Sequence, residues 1–195
     1  MTARPTPPRR PAAPVSAAPL GMWVFLASLT MLFAASLVGY LVVRARAETW
    51  RPEGVPNLPA GLWVSTAVIV LCSVAIHRAV VAIRNGRQQA LVAALLATLA
   101  LGVGFLVLQA FNWLQLWVAD VTPRRGLYGF TFYVLTGLHA VHVVGGLVPL
   151  AFTIWRAVRG RYTWAAHTGV RTVAMYWHFL DVVWIVMFIA LWSGG

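Results

Sequence analysis

The chain has 195 residues, of which 61% are hydrophobic and 10% are charged, and its formal net charge is +11. A soluble domain is typically about 45–50% apolar and about 25% charged, so this composition excludes an ordinary water-soluble fold and is typical of a membrane protein. The arginines stand between apolar stretches rather than along one basic face, and this placement argues against a nucleic-acid partner.

The first segment, residues 1–20, is rich in proline, arginine and alanine. Such a composition cannot bury a core, and it predicts a disordered, cytoplasmic tail. An apolar run from Met22 to Val43 follows. This run is too long for the core of a signal peptide, which usually has about 7–15 residues, so it predicts a retained membrane helix.

Four further apolar stretches follow the first, and each is long enough to cross a bilayer, which takes about 20 residues. The five predicted spans are residues 22–43, 60–83, 89–118, 127–155 and 172–192. The predicted fold class is therefore all-α, an integral membrane bundle of five transmembrane helices formed by residues 21–195. Ten arginines on the N-terminal side against five on the other predict a cytoplasmic N-terminus by the positive-inside rule.

A few ionisable side chains fall inside these spans, where each costs roughly 2.5–3.5 kcal/mol at the membrane centre and needs an explanation. Asp181 lies near the middle of the fifth span, one turn after His178, and His139 and His142 lie near the centre of the fourth. Because short-looped neighbours are antiparallel, we expect both histidines to meet Asp181 in one buried hydrogen-bonded cluster. Such a cluster can hold helices together, handle protons, or bind a lipid headgroup or a partner subunit.

Membrane histidines also raise the possibility of a b-type haem or a metal ion. A haem held by two histidines needs them on facing helices, whereas this chain offers the pair His139 and His142, the single membrane residues His77 and His178, and His167 in a loop. We therefore expect no cofactor and no metal in this chain. We also expect no catalytic residue, because the depth of Asp181 excludes the water that hydrolysis needs.

Two strings near the C-terminus carry a resemblance to a known family. They are FYVLTGLHAVHVVGGL, from Phe132 to Leu147, and YWHFLDVVWIVMF, from Tyr176 to Phe188. Both closely resemble the last two helices of subunit III of the haem-copper respiratory oxidases. The first span, from Gly21 to Arg44, resembles the opening helix of the five-span bacterial form, and residues 58–59, 77–78 and 109–113 match more loosely.

The resemblance implies a non-redox accessory subunit of an aerobic cytochrome c or quinol oxidase in a bacterial plasma membrane. Haem and copper are expected in its partner, catalytic subunit I, and subunit II is a further expected partner. Such a subunit stabilises the catalytic subunit, holds membrane lipids and assists proton uptake. The residues that match the family's polar and aromatic motif are His139, His142, Tyr176, Trp177, His178, Asp181 and Trp184, with His77, Gln109 and Trp113 as weaker matches.

Two positions depart from the family pattern. Leu29 follows Ser28 where the family commonly has a membrane glutamate, and Asn112 precedes Trp113 where it often has another. Their neutral side chains favour a structural and lipid-holding role over proton conduction through the first span. Two alternatives stay open at this point: the related small subunit of a nitric oxide reductase, and a stand-alone membrane cytochrome or small transporter.

Overall fold

A computed structural model describes residues 17–50 and 59–194 of the chain. Its helices are α1 (Ala17–Arg46), α2 (Gly61–Arg84), α3 (Gln88–Val118), α4 (Leu127–Val158) and α5 (Thr168–Trp192). Each of the five is long and apolar enough to cross a membrane. The described residues contain no strand. The predicted all-α class with five membrane helices is therefore confirmed.

The helix boundaries agree with the predicted spans to within a few residues, with the largest differences at two helix starts. α5 begins at Thr168 rather than at Thr172, and α1 begins at Ala17 rather than at Met22. Residues 17–20 are therefore helical, and their assignment to a disordered tail is wrong. Pro19 is compatible with helix here because proline is tolerated in the first turn, where its missing N–H would have no partner. Residues 1–16 lie outside the described part of the chain.

Four of the helices form a closed ring of contacts. α2 packs on α3, α3 on α4, α4 on α5, and α5 back on α2, with α2 and α3 in the closest contact. α1 lies outside this ring and packs only on α4 and α5 within the described structure. α4 and α5 therefore each contact three other helices, and α5 joins α1 to α2 and α4.

α2 and α4 end in the same backbone motif. Gly86 and Gly160 have φ angles of 67° and 64°, in the left-handed region that favours glycine. The N–H groups of the next residues, Arg87 and Arg161, reach back to carbonyls five residues earlier, at 2.9 and 3.0 Å. This arrangement closes the last helical turn and places an arginine directly after each glycine.

The charged residues divide the bundle into two unequal ends. We call the end where α1, α3 and α5 begin the arginine-rich end. In the described part of the chain it carries Arg78, Arg84, Arg87, Arg156, Arg159, Arg161 and Arg171. The opposite end carries Arg44, Arg46, Arg124 and Arg125, together with Glu48 and Asp120. The predicted orientation of the bundle rests on this asymmetry.

Candidate functional site

Asp181 is a buried carboxylate within α5. Nδ1 of His178 lies 4.0 Å from Oδ2 of Asp181, and the same nitrogen lies 2.7 Å from Oγ of Ser73 on α2. The Ser73 hydroxyl also faces the carboxylate. The ring centroid of His77 lies 6.2 Å from that of His178. We call these four residues the Asp181 group, and they join α5 to α2.

The Asp181 carboxylate is poorly compensated in this environment. Neither of its oxygens makes a hydrogen bond of normal geometry to any residue that the structure describes. An unpaired carboxylate is costly to bury, and most of all within a membrane span. Asp181 is therefore the buried polar residue whose presence most needs a functional explanation.

His139 lies in a box of aromatic side chains and is fully buried. Its ring centroid is 5.1 Å from that of Trp184, 5.6 Å from that of Phe105 and 6.3 Å from that of Phe33. Both ring nitrogens lack a hydrogen-bond partner in the described structure. The predicted hydrogen bond between His139 and Asp181 is therefore wrong.

His142 also has partners other than Asp181. Its Nδ1 lies 2.7 Å from the carbonyl oxygen of Leu138 on the same helix, and its ring packs against Phe33 of α1, with centroids 5.0 Å apart. Its own carbonyl oxygen accepts a hydrogen bond of 2.8 Å from the hydroxyl of Tyr176. His142 thus connects α4 to α1 and α5 without joining the Asp181 group.

The failed cluster prediction has a simple geometric cause. Residue spacing gives the depth of a side chain along a helix, but not the rotation of that helix about its axis once it is packed. α5 directs Asp181 towards Ser73 of α2, whereas α4 directs His139 and His142 towards aromatic rings of its neighbours. The predicted hydrogen bonds from these two histidines to Asp181 are therefore absent from the described structure.

Tyr176 and Trp177 fill spaces that glycines leave open. A Cβ atom at Gly102 on α3 would lie 2.7 Å from Cη2 of Trp177, and one at Gly146 on α4 would lie 2.6 Å from Cε1 of Tyr176. Both distances are far below van der Waals contact. Residues without a side chain are therefore required where α3 and α4 meet the aromatic face of α5.

Two tryptophans cross-link the ring with hydrogen bonds. Nε1 of Trp184 donates to Oγ1 of Thr66 on α2 at 3.1 Å, and Nε1 of Trp113 donates to Oγ1 of Thr136 on α4 at 3.0 Å. Gln109, one turn before Trp113, is buried, and neither polar atom of its side chain has a partner in the described residues. Trp113 thus belongs to the α3–α4 contact, and neither residue makes a hydrogen bond to the Asp181 group in the described structure.

The two positions that depart from the family pattern have packing roles. Leu29 is buried on the face of α1 that meets the ring. Asn112 donates from Nδ2 to Oγ of Ser65 at 3.2 Å, and its side chain occupies the space that a Cβ atom at Gly61 would need. Their neutral side chains suit this burial, as a charged carboxylate would not.

Two open grooves flank α5, and His178 lines both. The first, of about 680 Å³, lies between α1 and α5 and is lined mainly by apolar side chains such as Leu26 and Phe179. The second, of about 400 Å³, lies between α2 and α5 and includes His77 and Arg78. The His178 side chain is 40% exposed, whereas that of Asp181 is 4% exposed. His178 thus stands between the grooves and the buried acid.

Several contacts were not predicted from the sequence. Ser73 precedes His77 by one helical turn, so i, i+4 spacing could have revealed it. No local pattern indicated the contacts that hold α1 to the end of α5. Tyr40 donates to the carbonyl of Ala190 at 3.1 Å, Arg44 to that of Ser193 at 2.7 Å, and Trp50 to that of Gly194 at 2.7 Å. We call Tyr40, Arg44 and Trp50 the terminal clamp.

The metal-ligating side chains do not assemble in the described bundle. Across residues 17–50 and 59–194, no three His, Cys, Asp or Glu side chains lie close enough together to hold a metal ion. The histidines are instead divided between the aromatic box of His139, the α1 contact of His142 and the Asp181 group.

Comparison with known proteins identifies the family. The sequence model of "Cytochrome c oxidase subunit III" matches residues 13–195. Cytochrome c oxidase subunit 3 of Synechocystis sp. is 35% identical over 174 residues, which cover 88% of this chain and 73% of that protein. The protein of the same name from Thermostichus vulcanus is 34% identical, over 89% and 85% of the two chains. A probable cytochrome c oxidase subunit 3 of Nocardia farcinica is 34% identical, over 89% and 86%.

The fold and the site define a multi-pass helical membrane protein whose last two helices carry a histidine- and aromatic-rich interior. The chain belongs to the cytochrome c oxidase subunit III family. It is therefore an accessory subunit III of a haem-copper oxidase and forms a complex with the oxidase core subunits. The predicted membership of the haem-copper oxidase subunit III family is confirmed.

Proposed function

We propose that this chain packs against catalytic subunit I, and also against subunit II, of an oxygen-reducing haem-copper oxidase in a bacterial plasma membrane. The haem and copper belong to the catalytic subunit, and this chain binds neither. Family membership carries the proposal. The aromatic box around His139 supports the second part, because the imidazole is fully buried against the rings of Phe105 and Trp184.

The N-terminus is proposed to be cytoplasmic. Within the described residues, seven arginines lie at the arginine-rich end against four at the other. Arginine near the ends of membrane helices is retained on the cytoplasmic side during insertion. The arginine-rich end therefore faces the cytoplasm in this proposal.

A lipid-holding role is supported by the groove between α1 and α5. Its walls are largely apolar, and it is open along the side of the bundle. Trp23 stands on its wall and is exposed, and tryptophan commonly anchors at the membrane interface. A hydrocarbon chain fits the chemistry of such a groove better than any polar ligand.

A role in proton handling is supported by the Asp181 group. A histidine and a carboxylic acid are the side chains that most readily exchange protons near neutral pH when their surroundings are adjusted. His178 reaches both the groove beside α2 and the buried Asp181. α1 contributes no carboxylate, because Leu29 occupies the position where relatives commonly carry glutamate, so this role is assigned to α5.

The proton role is tested by Asp181→Asn in the intact complex. The amide keeps the shape of the side chain, so we expect assembly to be retained and proton uptake during turnover to slow. Ser73→Ala is the matched control, because it removes the hydrogen bond between Ser73 and His178 but keeps the Asp181 carboxylate. Unchanged proton uptake in Asp181→Asn would assign the group a purely structural role.

The assembly is tested by recovering the chain, tagged at its N-terminus, from native membranes in mild detergent. We expect it to co-purify with a haem-copper subunit that consumes oxygen. Recovery with a nitric oxide reductase would select the related small subunit instead. Recovery of a functional chain without any partner would contradict the proposal.

A further inference from the structure

A third groove runs along the outside of α2 and α3, and we call it the α2–α3 groove. Its volume is about 640 Å³. The wall formed by α3 consists mainly of small side chains: Ala90, Ala93, Ala94 and Ala97. Residues spaced by three, four and seven positions share one face of a helix, so these alanines form a continuous strip.

The wall formed by α2 combines apolar and basic side chains. Val74 and Val81 are exposed there, and Arg78 lies between them in sequence. Arg87, which directly precedes α3, lines the same groove. α2 ends at Arg84, so the backbone of Arg78 lies about 9 Å from that helix end, towards the middle of the membrane. The groove therefore presents cations at two depths.

No carboxylate of the described chain neutralises these two cations. The chain has four acidic residues. Asp181 is buried within α5, Glu48 and Asp120 lie at the opposite end, and Glu53 lies outside the described residues. An arginine within a membrane span is costly unless it pairs or reaches the interface. A carboxylate from another molecule would therefore complement the groove.

We propose that the α2–α3 groove receives a membrane helix of another oxidase subunit, with an aspartate or glutamate near the end that lies level with Arg78 and Arg87. Small side chains let two helix backbones approach closely, and interfaces between membrane helices are enriched in them. Larger apolar side chains of the partner fill the groove, and its carboxylate pairs with one or both guanidinium groups. This inference rests on the proposed assembly with oxidase subunits.

A helix of a different chain fits the groove better than a second copy or a lipid. A second copy in the same orientation brings no described carboxylate to the arginine-rich end. A lipid chain would cover the apolar walls, but it gains nothing from a strip of alanines, which serves the close approach of helix backbones. A lipid headgroup at the membrane surface also lies level with Arg87 rather than with Arg78.

The groove is tested by photo-crosslinking in the intact complex, isolated from native membranes in mild detergent. A benzophenone-bearing amino acid replaces Ala97 in the groove or, as the matched control, the exposed Ala151 on α4. We expect the probe at position 97 to label a membrane helix of one oxidase subunit, with a carboxylate near its end. The probe at position 151 should not label that helix. Labelling of lipid alone or of a second copy, or no labelling, would overturn the proposal.

Substitution tests the contribution of the two arginines. Arg78→Gln with Arg87→Gln should lower the yield of the crosslinked partner about tenfold. Arg84→Gln with Arg171→Gln removes the same charge from the same end outside the groove, and its yield should stay within about twofold of the native one. Arg78→Lys with Arg87→Lys keeps both charges and should retain most of the yield, which separates lost pairing from misfolding. Equal losses in the two glutamine variants would overturn the proposed pairing.

The same preparation distinguishes this inference from the proposed assembly. If the native chain is recovered without oxidase subunits, the proposed function fails. If it is recovered with them but the probe at position 97 labels only lipid, the proposed function stands and the groove proposal fails.

Discussion

α1 and the ring of α2 to α5 are held in place by different kinds of contact. The ring interlocks through its interior, where glycines receive aromatic side chains and tryptophans donate hydrogen bonds between helices. α1 buries a single stripe, consisting of Leu26, Leu29, Phe33 and Tyr40, and is otherwise largely exposed. Its main polar attachment is the terminal clamp at the end of α5. The ring is therefore a compact unit, and α1 is an arm whose limited contact leaves a groove along α5.

The largest effect is expected from filling a glycine inside the ring. Gly102→Leu would force side-chain atoms into Trp177, which cannot move because it is fully buried. We expect the free energy of unfolding, measured by thermal unfolding in detergent, to fall by about 1–3 kcal/mol. Gly104→Leu is the matched control, because a Cβ atom there meets nothing within 4 Å. Equal losses in both variants would show that the ring is not interlocked at Gly102.

A smaller and more local effect is expected from the terminal clamp. Tyr40→Phe with Arg44→Ala removes two hydrogen bonds to the end of α5, each contributing about 1 kcal/mol. Hydrogen–deuterium exchange should rise in α1 while α2 to α5 keep native protection. Arg46→Ala removes a charge from the same helix end and should leave exchange unchanged. Faster exchange throughout the ring would mean that α1 is an integral part of it.

The smallest losses of stability are expected from removing single hydrogen bonds, and they should differ between a bond that joins two helices and a bond within one helix. Thr66→Val removes the acceptor of the Trp184 indole and should cost about 1 kcal/mol. The Ser28 hydroxyl is exposed and donates a hydrogen bond to the carbonyl of Val24 within α1. Ser28→Ala should therefore change the free energy of unfolding by less than about 0.5 kcal/mol. The same thermal unfolding measurement checks both variants. A larger loss of stability in Ser28→Ala than in Thr66→Val would contradict this expectation.

The fold was predictable because membrane helices are set by length and hydropathy. Each span needs about 20 apolar residues, and the apolar stretches of this chain are long and well separated. The start of α1 was missed because prolines and alanines resemble a disordered segment in composition, although Pro19 is permitted in a first turn. Composition describes a segment as a whole and does not locate the residue at which a helix begins.

The site was only partly predictable because helix packing decides which way a buried side chain points. The relation of His178 to Asp181 follows from one turn of one helix and was predicted. A hydrogen bond between His139 and Asp181 depends on how α4 and α5 are rotated about their axes, and the described structure contains no such bond. The terminal clamp depends on where α5 ends relative to α1, which no local pattern encodes.

We propose that this chain assists a redox enzyme without carrying a redox group. The most direct test is the haem content of the purified chain, separated from its complex and measured by its visible absorption spectrum per mole of protein. We expect no haem band in the isolated chain, while the catalytic subunit retains its own. A stoichiometric haem band in the isolated chain would contradict it.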